Sequence, residues 1–162
     1  MVINFHELYQ KYAQDVYRFA YWLCGNAQNA EDITSETFVR ALTSTGEIRA
    51  ETVKGYLLTI AKNLAYKKSN REKHLVPLDK NITEAQMEPV RIVENSNSIQ
   101  TAMQFIQTLP EIDRAALILR LQDDLSYEEI ASVLNISLAA AKVKVHRARL
   151  KLTEYMKQQE EQ

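Results

Sequence analysis

Residues 126–152, SYEEIASVLNISLAAAKVKVHRARLKL, decide the fold. They read as two helices joined by a tight turn. Ser126 caps the first helix, and Glu129 three residues on completes a capping box. Ile130, Ala131, Val133 and Leu134 supply its apolar side. Asn135 falls where the chain must turn, and Asn tolerates the left-handed conformation that ends a helix. Ser137 caps the second helix. There Ala141, Val145, Ala148 and Leu152 recur at intervals of four, three and four, one apolar stripe turned toward a core. Other faces carry Lys142, Lys144, His146, Arg147, Arg149 and Lys151. A short helix, a turn and a basic second helix suit insertion into a DNA major groove, and Ala139 and Ala140 allow close approach. A solvated basic face on an ordinary helix pair has the same pattern, so the rest of the chain has to decide.

A chain of 162 residues accommodates one domain or two small ones. It is 46% apolar with only 3 Gly and 3 Pro, which favours an all-α protein with a real core. No apolar run is long enough to span a membrane. The N-terminus, MVINFHELYQKYAQD, lacks the basic and apolar blocks of a secretory signal. The lone Cys24 cannot form an internal disulfide, and a cytoplasmic location is the expectation. Net charge is −1, which argues against nucleic acid until its distribution is considered. Residues 54–74 and 135–157 each carry +5, while 1–53 carry −3, 75–98 carry −2, 99–134 carry −4 and 158–162 carry −2. Two basic blocks in an acidic chain fit two phosphate contacts, with acidic surfaces facing something other than DNA. Two solvated helix ends are the plainer explanation.

Residues 4–24 form a helix by the spacing of Phe5, Leu8, Tyr9, Tyr12, Val16, Phe19, Ala20 and Leu23, with Gly25 as its stop. The stripe is read as core. No second His or Cys lies at ligand spacing from His6, so no metal site is expected. Residues 29–43 form the next helix, with Asn29 as N-cap and Glu31 and Asp32 in its first turn. Its buried face is Ile33, Thr37, Phe38, Ala41 and Leu42. Asp32, Ser35, Glu36, Val39 and Arg40 lie opposite. Thr43–Glu51 is polar and contains Gly46, a loop. Residues 52–69 form a third helix with Val53, Leu57, Ile60, Ala61 and Leu64 inward. Tyr56, Lys62, Asn63, Tyr66, Lys67 and Lys68 are left over, followed by Arg71 and Lys73. Rings, amides and lysines interleaved in this way suit single-stranded nucleic acid.

Residues 75–98, with Pro77 and Pro89 and no sustained periodicity, read as a flexible linker. Helix resumes over 98–108, Pro110 marks the next helix start, and 111–122 continues with Ile112, Ala115, Ala116, Leu119 and Leu121. Gln122-Asp123-Asp124 is a turn. The tail Lys157–Gln162 is expected to fray. The fold class is all-α: two small helical domains, 1–74 and 99–162, joined by the linker 75–98, the second domain a helix-turn-helix.

Three passages in series resemble the small extracytoplasmic-function (ECF) group of RNA polymerase sigma factors, in the sigma-70 family. AEDITSETFVRAL resembles the polymerase-binding helix of the second conserved region. GYLLTIAKNLAYKKSNR resembles the helix that melts and reads the -10 element. LPEIDRAALILRLQDDLSYEEIASVLNISLAAAKVKVHRARLKL resembles the fourth region, which reads the -35 element. The resemblance covers nearly the whole chain. It implies an alternative sigma factor that binds core RNA polymerase, directs promoter recognition and catalyses nothing. It implies that Asp32, Ser35, Glu36 and Arg40 meet the polymerase's largest subunit, with Ser35 standing where the family usually has Gln. It implies -10 contacts from Tyr56, Lys62, Asn63, Lys67, Lys68 and Arg71, where Tyr56 replaces a frequent Trp, and base capture by the loop Thr45–Thr52. It places Lys142, Val143, Lys144, His146 and Arg147 at the -35 DNA, where Val143 can touch only a thymine methyl. The resemblance also implies core polymerase, promoter DNA and an anti-sigma factor as partners.

A stand-alone helix-turn-helix regulator is the competing reading, and it would bind duplex DNA without polymerase. A polymerase-binding module without DNA contact is another. An enzyme finds no support in a glycine-rich phosphate loop, a Cys/His cluster or a nucleophile motif, and no cofactor or small-molecule substrate is expected.

Overall fold

The computed structural model describes residues 4–43, 53–74 and 96–161. Among these the chain is all-α, with seven helices and no strand. It divides into two compact units, Met1–Leu78 and Asp79–Gln162.

In the first unit α1 (Phe5–Cys24), α2 (Ala27–Thr43) and α3 (Val53–His74) pack pairwise against one another. Asn4 caps α1, its side chain accepting from the His6 amide at 3.0 Å. Gly25 closes it at φ 68°, where a Cβ would clash, and donates its amide to the Tyr21 carbonyl. The chain re-enters helix at once. Asn26 Oδ1 accepts from the Asn29 amide at 3.0 Å, so Asn26 and not Asn29 is the cap of α2. The helix therefore starts two residues before the sequence reading placed it, and Glu31 and Asp32 lie beyond the first turn.

The core holds Val16, Phe19 and Ala20 of α1, Ile33 and Phe38 of α2, and Leu57, Leu58 and Ala61 of α3. Thr34 and Thr37 are buried too, and their hydroxyls donate to the Ala30 and Ile33 carbonyls at 2.7 and 2.6 Å. That bond removes the desolvation cost a buried hydroxyl would otherwise carry. Three expected core positions lie elsewhere. Phe5 and Tyr9 are 42% and 45% exposed and pack edgewise on Phe38, at 6.4 and 5.0 Å between ring centroids. Leu42 is 54% exposed near the end of α2. On α3, Ile60 and Leu64 are half-buried while Leu58 and Ala65 are inside. The helix runs to His74, five residues past its expected end. Thr43, expected to open a loop, is the last residue of α2; the rest of that loop, 44–51, the base-capture segment 45–52 and most of the linker, 75–95, lie outside the described residues.

The second unit contains α4 (Ser96–Ile106), α5 (Glu111–Leu121), α6 (Tyr127–Leu134) and α7 (Leu138–Glu160). α4 begins within the span assigned to the linker. Arg114 ties the α4–α5 corner: its guanidinium donates to the Gln107 side chain and to the Gln107 and Leu109 carbonyls at 2.9–3.2 Å. Both carbonyls lie in the turn between α4 and α5. Arg120 does similar work after α5, reaching the Leu125 carbonyl at 2.9 Å and lying 4.5 Å from the centroid of Tyr127. Asp124 turns there at φ 52°. Around α6 and α7 the expectations for Ser126, Asn135 and Ser137 are met. Ser126 accepts from the Glu129 amide at 3.1 Å, Asn135 is left-handed at φ 55°, and Ser137 accepts from the Ala140 amide at 3.0 Å. Ala141, Val145 and Ala148 are buried, and Leu152 is half-buried. α7 does not fray at Lys157; it continues to Glu160.

Candidate functional site

On α3, Tyr56, Asn63, Lys67 and Arg71 are separated by seven, four and four residues, so they share one face. Asn63, Lys67 and Arg71 are exposed, and Tyr56 is half-buried. A face offering a ring, an amide and two cations can stack a base, bond its edge and neutralise phosphate.

Lys62 departs from the phosphate-contact expectation. It is only 8% exposed, and its Nζ lies 5.8 Å from the Tyr66 ring centroid. Burial lowers its ammonium pKa below the usual lysine value, since desolvation penalises the charged form. Leu58, Ala61 and Ala65 around it are all buried, so Lys62 sits on the inner stripe of α3. A face drawn through Leu58 and Ala65 would have found this from sequence.

On α2, Asp32, Ser35, Glu36, Val39 and Arg40 are exposed. Glu36 and Arg40 pair one turn apart at 3.1 Å. Beside them α2 and α3 form a groove of about 390 Å3, lined by Asp32, Ile33, Glu36 and Arg40 from one helix and Leu64, Lys67, Lys68 and Arg71 from the other. Residues assigned to two different partners thus share one groove. Lys68 reaches across it to Asp32 at 3.1 Å. Asn29 reaches Glu72 at 3.2 Å, a second tie between the same helices. Asp32 and Lys68 are 36 positions apart, so no local pattern announces their meeting.

On α7 the outward residues are Ala139, Lys142, Val143, His146, Arg147 and Leu150, opposite the buried stripe. Val143 is 44% exposed, as are several other aliphatic side chains of the chain. Lys144 points elsewhere. Its Nζ lies 3.0 Å from Asp113 Oδ1 on α5, and both side chains are largely covered. Lys144 therefore belongs to the α5–α7 packing, not to the outward row. Asp113 was not among the sequence candidates, because its partner lies 31 positions away.

Among the described residues no group of three His, Cys, Asp or Glu side chains is placed to hold a metal. None of their helices is long and apolar enough to cross a membrane. Cys24 is half-buried at the end of α1.

Comparisons with known proteins give the same order of parts. The model for sigma-70 region 2 matches residues 8–74, and the model for sigma-70 region 4 matches residues 99–152. The ECF RNA polymerase sigma factor SigE of Mycolicibacterium smegmatis is 33% identical over 94% of this chain, which spans 62% of that relative's length. The ECF RNA polymerase sigma factor SigM of Bacillus subtilis is 30% identical, with 90% of this chain and 91% of that protein covered. The fold matches that of the sigma factor RpoE from Bartonella quintana, solved in complex with the anti-sigma factor NepR. The TM-score is 0.74 at 22% identity, covering 96% of this chain and 98% of that one.

Proposed function

Because the chain belongs to the ECF group of RNA polymerase sigma factors, we propose that it binds core polymerase and directs it to a promoter, with the first unit serving the polymerase and the -10 element and the second the -35 element. The observation that carries this is the serial match of regions 2 and 4 to two separate compact units. Charge supports it. The α3 and α7 faces offer cations, while α2 presents an exposed row that includes Asp32 and Glu36, unsuited to DNA.

In this reading Asp32, Ser35, Glu36 and Arg40 meet the polymerase. Tyr56, Asn63, Lys67, Lys68 and Arg71 take the opened -10 strand. Lys142, Val143, His146 and Arg147 meet the -35 duplex. Lys62 and Lys144 support these faces from within. Flipping a base costs a few kcal/mol, offset by stacking and pocket contacts. The protein contributes binding free energy and works in the cytoplasm, and an anti-sigma factor is its inhibitor, as NepR is the partner of the Bartonella protein.

The test is run-off transcription with core enzyme on a promoter chosen from genomic binding data, together with a gel shift with and without core. Promoter-dependent transcript that requires core supports the reading. Tight duplex binding without core and no transcript would favour a stand-alone regulator instead.

A further inference from the structure

The α2–α3 groove places the polymerase-facing and DNA-facing residues within one ion pair of each other. Asp32 is exposed on α2 and Lys68 is half-exposed on α3, with 3.1 Å between carboxylate and ammonium. Lys67 and Arg71, in the same groove, have no ion pair or hydrogen bond among the described residues. Of the three α3 cations that line the groove, Lys68 is thus the one that an acid already holds. We infer that the Asp32–Lys68 pair is a coupling contact: in the free chain Asp32 withholds Lys68 from DNA, and a partner that supplies a cation to Asp32 releases it. The inference rests on the proposed assignment of α2 to the polymerase and α3 to the opened strand.

The physical argument is competition for one ammonium. A carboxylate at 3.1 Å neutralises Lys68 and holds its side chain across the groove toward α2. A phosphate must displace Asp32 before it can use that charge. A partner with an arginine or lysine against Asp32 removes the competitor without touching Lys68. Linkage makes the effect reciprocal, so DNA bound through Lys68 frees Asp32 for the partner. The pair is partly solvated, so the coupling is modest, a roughly two- to fivefold change in affinity. Salt dependence is the more specific readout, because each phosphate neutralised on a single strand adds about 0.7 to the slope.

The experiment titrates a fluorescent 20-nucleotide mixed-sequence single strand with the full chain over a range of salt. It compares wild type, Asp32→Asn, Lys68→Met, the double variant and Glu31→Gln, the last removing an exposed acid beside Asp32. Asp32→Asn is expected to raise affinity roughly two- to fivefold and steepen the slope by about 0.7. Glu31→Gln should leave the slope unchanged, and Asp32→Asn should leave it unchanged in the Lys68→Met background. Equal slopes for wild type and Asp32→Asn overturn the inference. So does a steepening that survives Lys68→Met, which would be a general charge effect. A separate pull-down with core polymerase tests the underlying assignment. Loss of core binding in the wild type sinks that assignment, whatever the slopes show.

Discussion

Lys144 donates to Asp113 across 3.0 Å, joining the helix expected to read DNA to the helix packed behind it. A lysine counted from sequence among the DNA contacts therefore has a structural partner. The pair is partly covered, and exposed pairs are typically worth about 0.2–1 kcal/mol. A double-mutant cycle on Asp113→Ala and Lys144→Ala is expected to give a coupling energy in the upper part of that range. Salt dependence of -35 duplex binding should be unchanged by Lys144→Ala. A slope reduced by about 0.9 would mean that Lys144 meets a phosphate after all.

Arg147 projects outward from α7, beside Val143 and His146. Arg147→Ala is expected to cost about 1–3 kcal/mol in discrimination of -35 variants and leave core binding intact. Competition between promoter duplexes with altered -35 bases, measured with holoenzyme, checks this. Equal loss of core binding would indicate misfolding of the second unit.

Glu36 and Arg40 pair on the exposed side of α2 and make no contribution to the core. Glu36→Ala and Arg40→Ala should each weaken core polymerase binding by at least about fivefold, the ~1 kcal/mol mark of an important interface residue. Thermal stability should change little, since the pair is exposed. Biolayer interferometry on immobilised core, alongside a melt, separates the two effects.

Lys62 carries a pH prediction. Its folded pKa is lowered by burial, so the unfolded chain holds the proton to higher pH than the folded one. The charged form is a destabilising presence at neutral pH, and it is relieved as pH rises through the folded value toward 10.5. Lys62→Met should therefore raise the melting temperature at pH 7. That advantage should shrink as pH approaches the normal lysine range. A constant difference from pH 7 to pH 10 would show that the ammonium is not desolvated.

The caps give a stability series. Asn26→Ala and Ser137→Ala each remove an acceptor from a helix start and should cost about 1 kcal/mol. Asn29→Ala loses only a surface bond to Glu72 and should cost less. Asn135→Gly should be tolerated, because Gly accepts φ 55° as readily as Asn does. Asn135→Ala should cost about 1–2 kcal/mol. Urea melts of the full chain rank these variants.

Features carried by neighbours in sequence were legible. Ser126, Asn135 and Ser137 announce a helix pair because capping is a matter of three or four residues. The buried stripe Ala141, Val145 and Ala148 follows from helical spacing. Errors arose where the deciding partner lies far along the chain. Phe5 and Tyr9 have the spacing of core residues, yet only Leu8 between them is buried, and the two rings lie edgewise on Phe38 at the border of the core. The sequence reading starts α2 at Asn29, and the sharp exit at Gly25 brings Asn26 to that position instead. Asp113 and the Asp32–Lys68 contact depend on helix packing, which no local pattern encodes.

α7 has one more consequence. It is a continuous rod of 23 residues, roughly 34 Å at 1.5 Å per residue. Lys142 and Arg147 sit toward one end, and Tyr155 near the other lies 5.0 Å from the ring of Phe105 on α4. A straight helix does not bend easily without a Pro, Gly or inserted side chain, and α7 contains no Pro or Gly. Torque applied to α4 must therefore either slip the Phe105–Tyr155 contact or swing the end that carries Lys142 and Arg147. α4 is in this sense the tiller of the helix proposed to meet DNA.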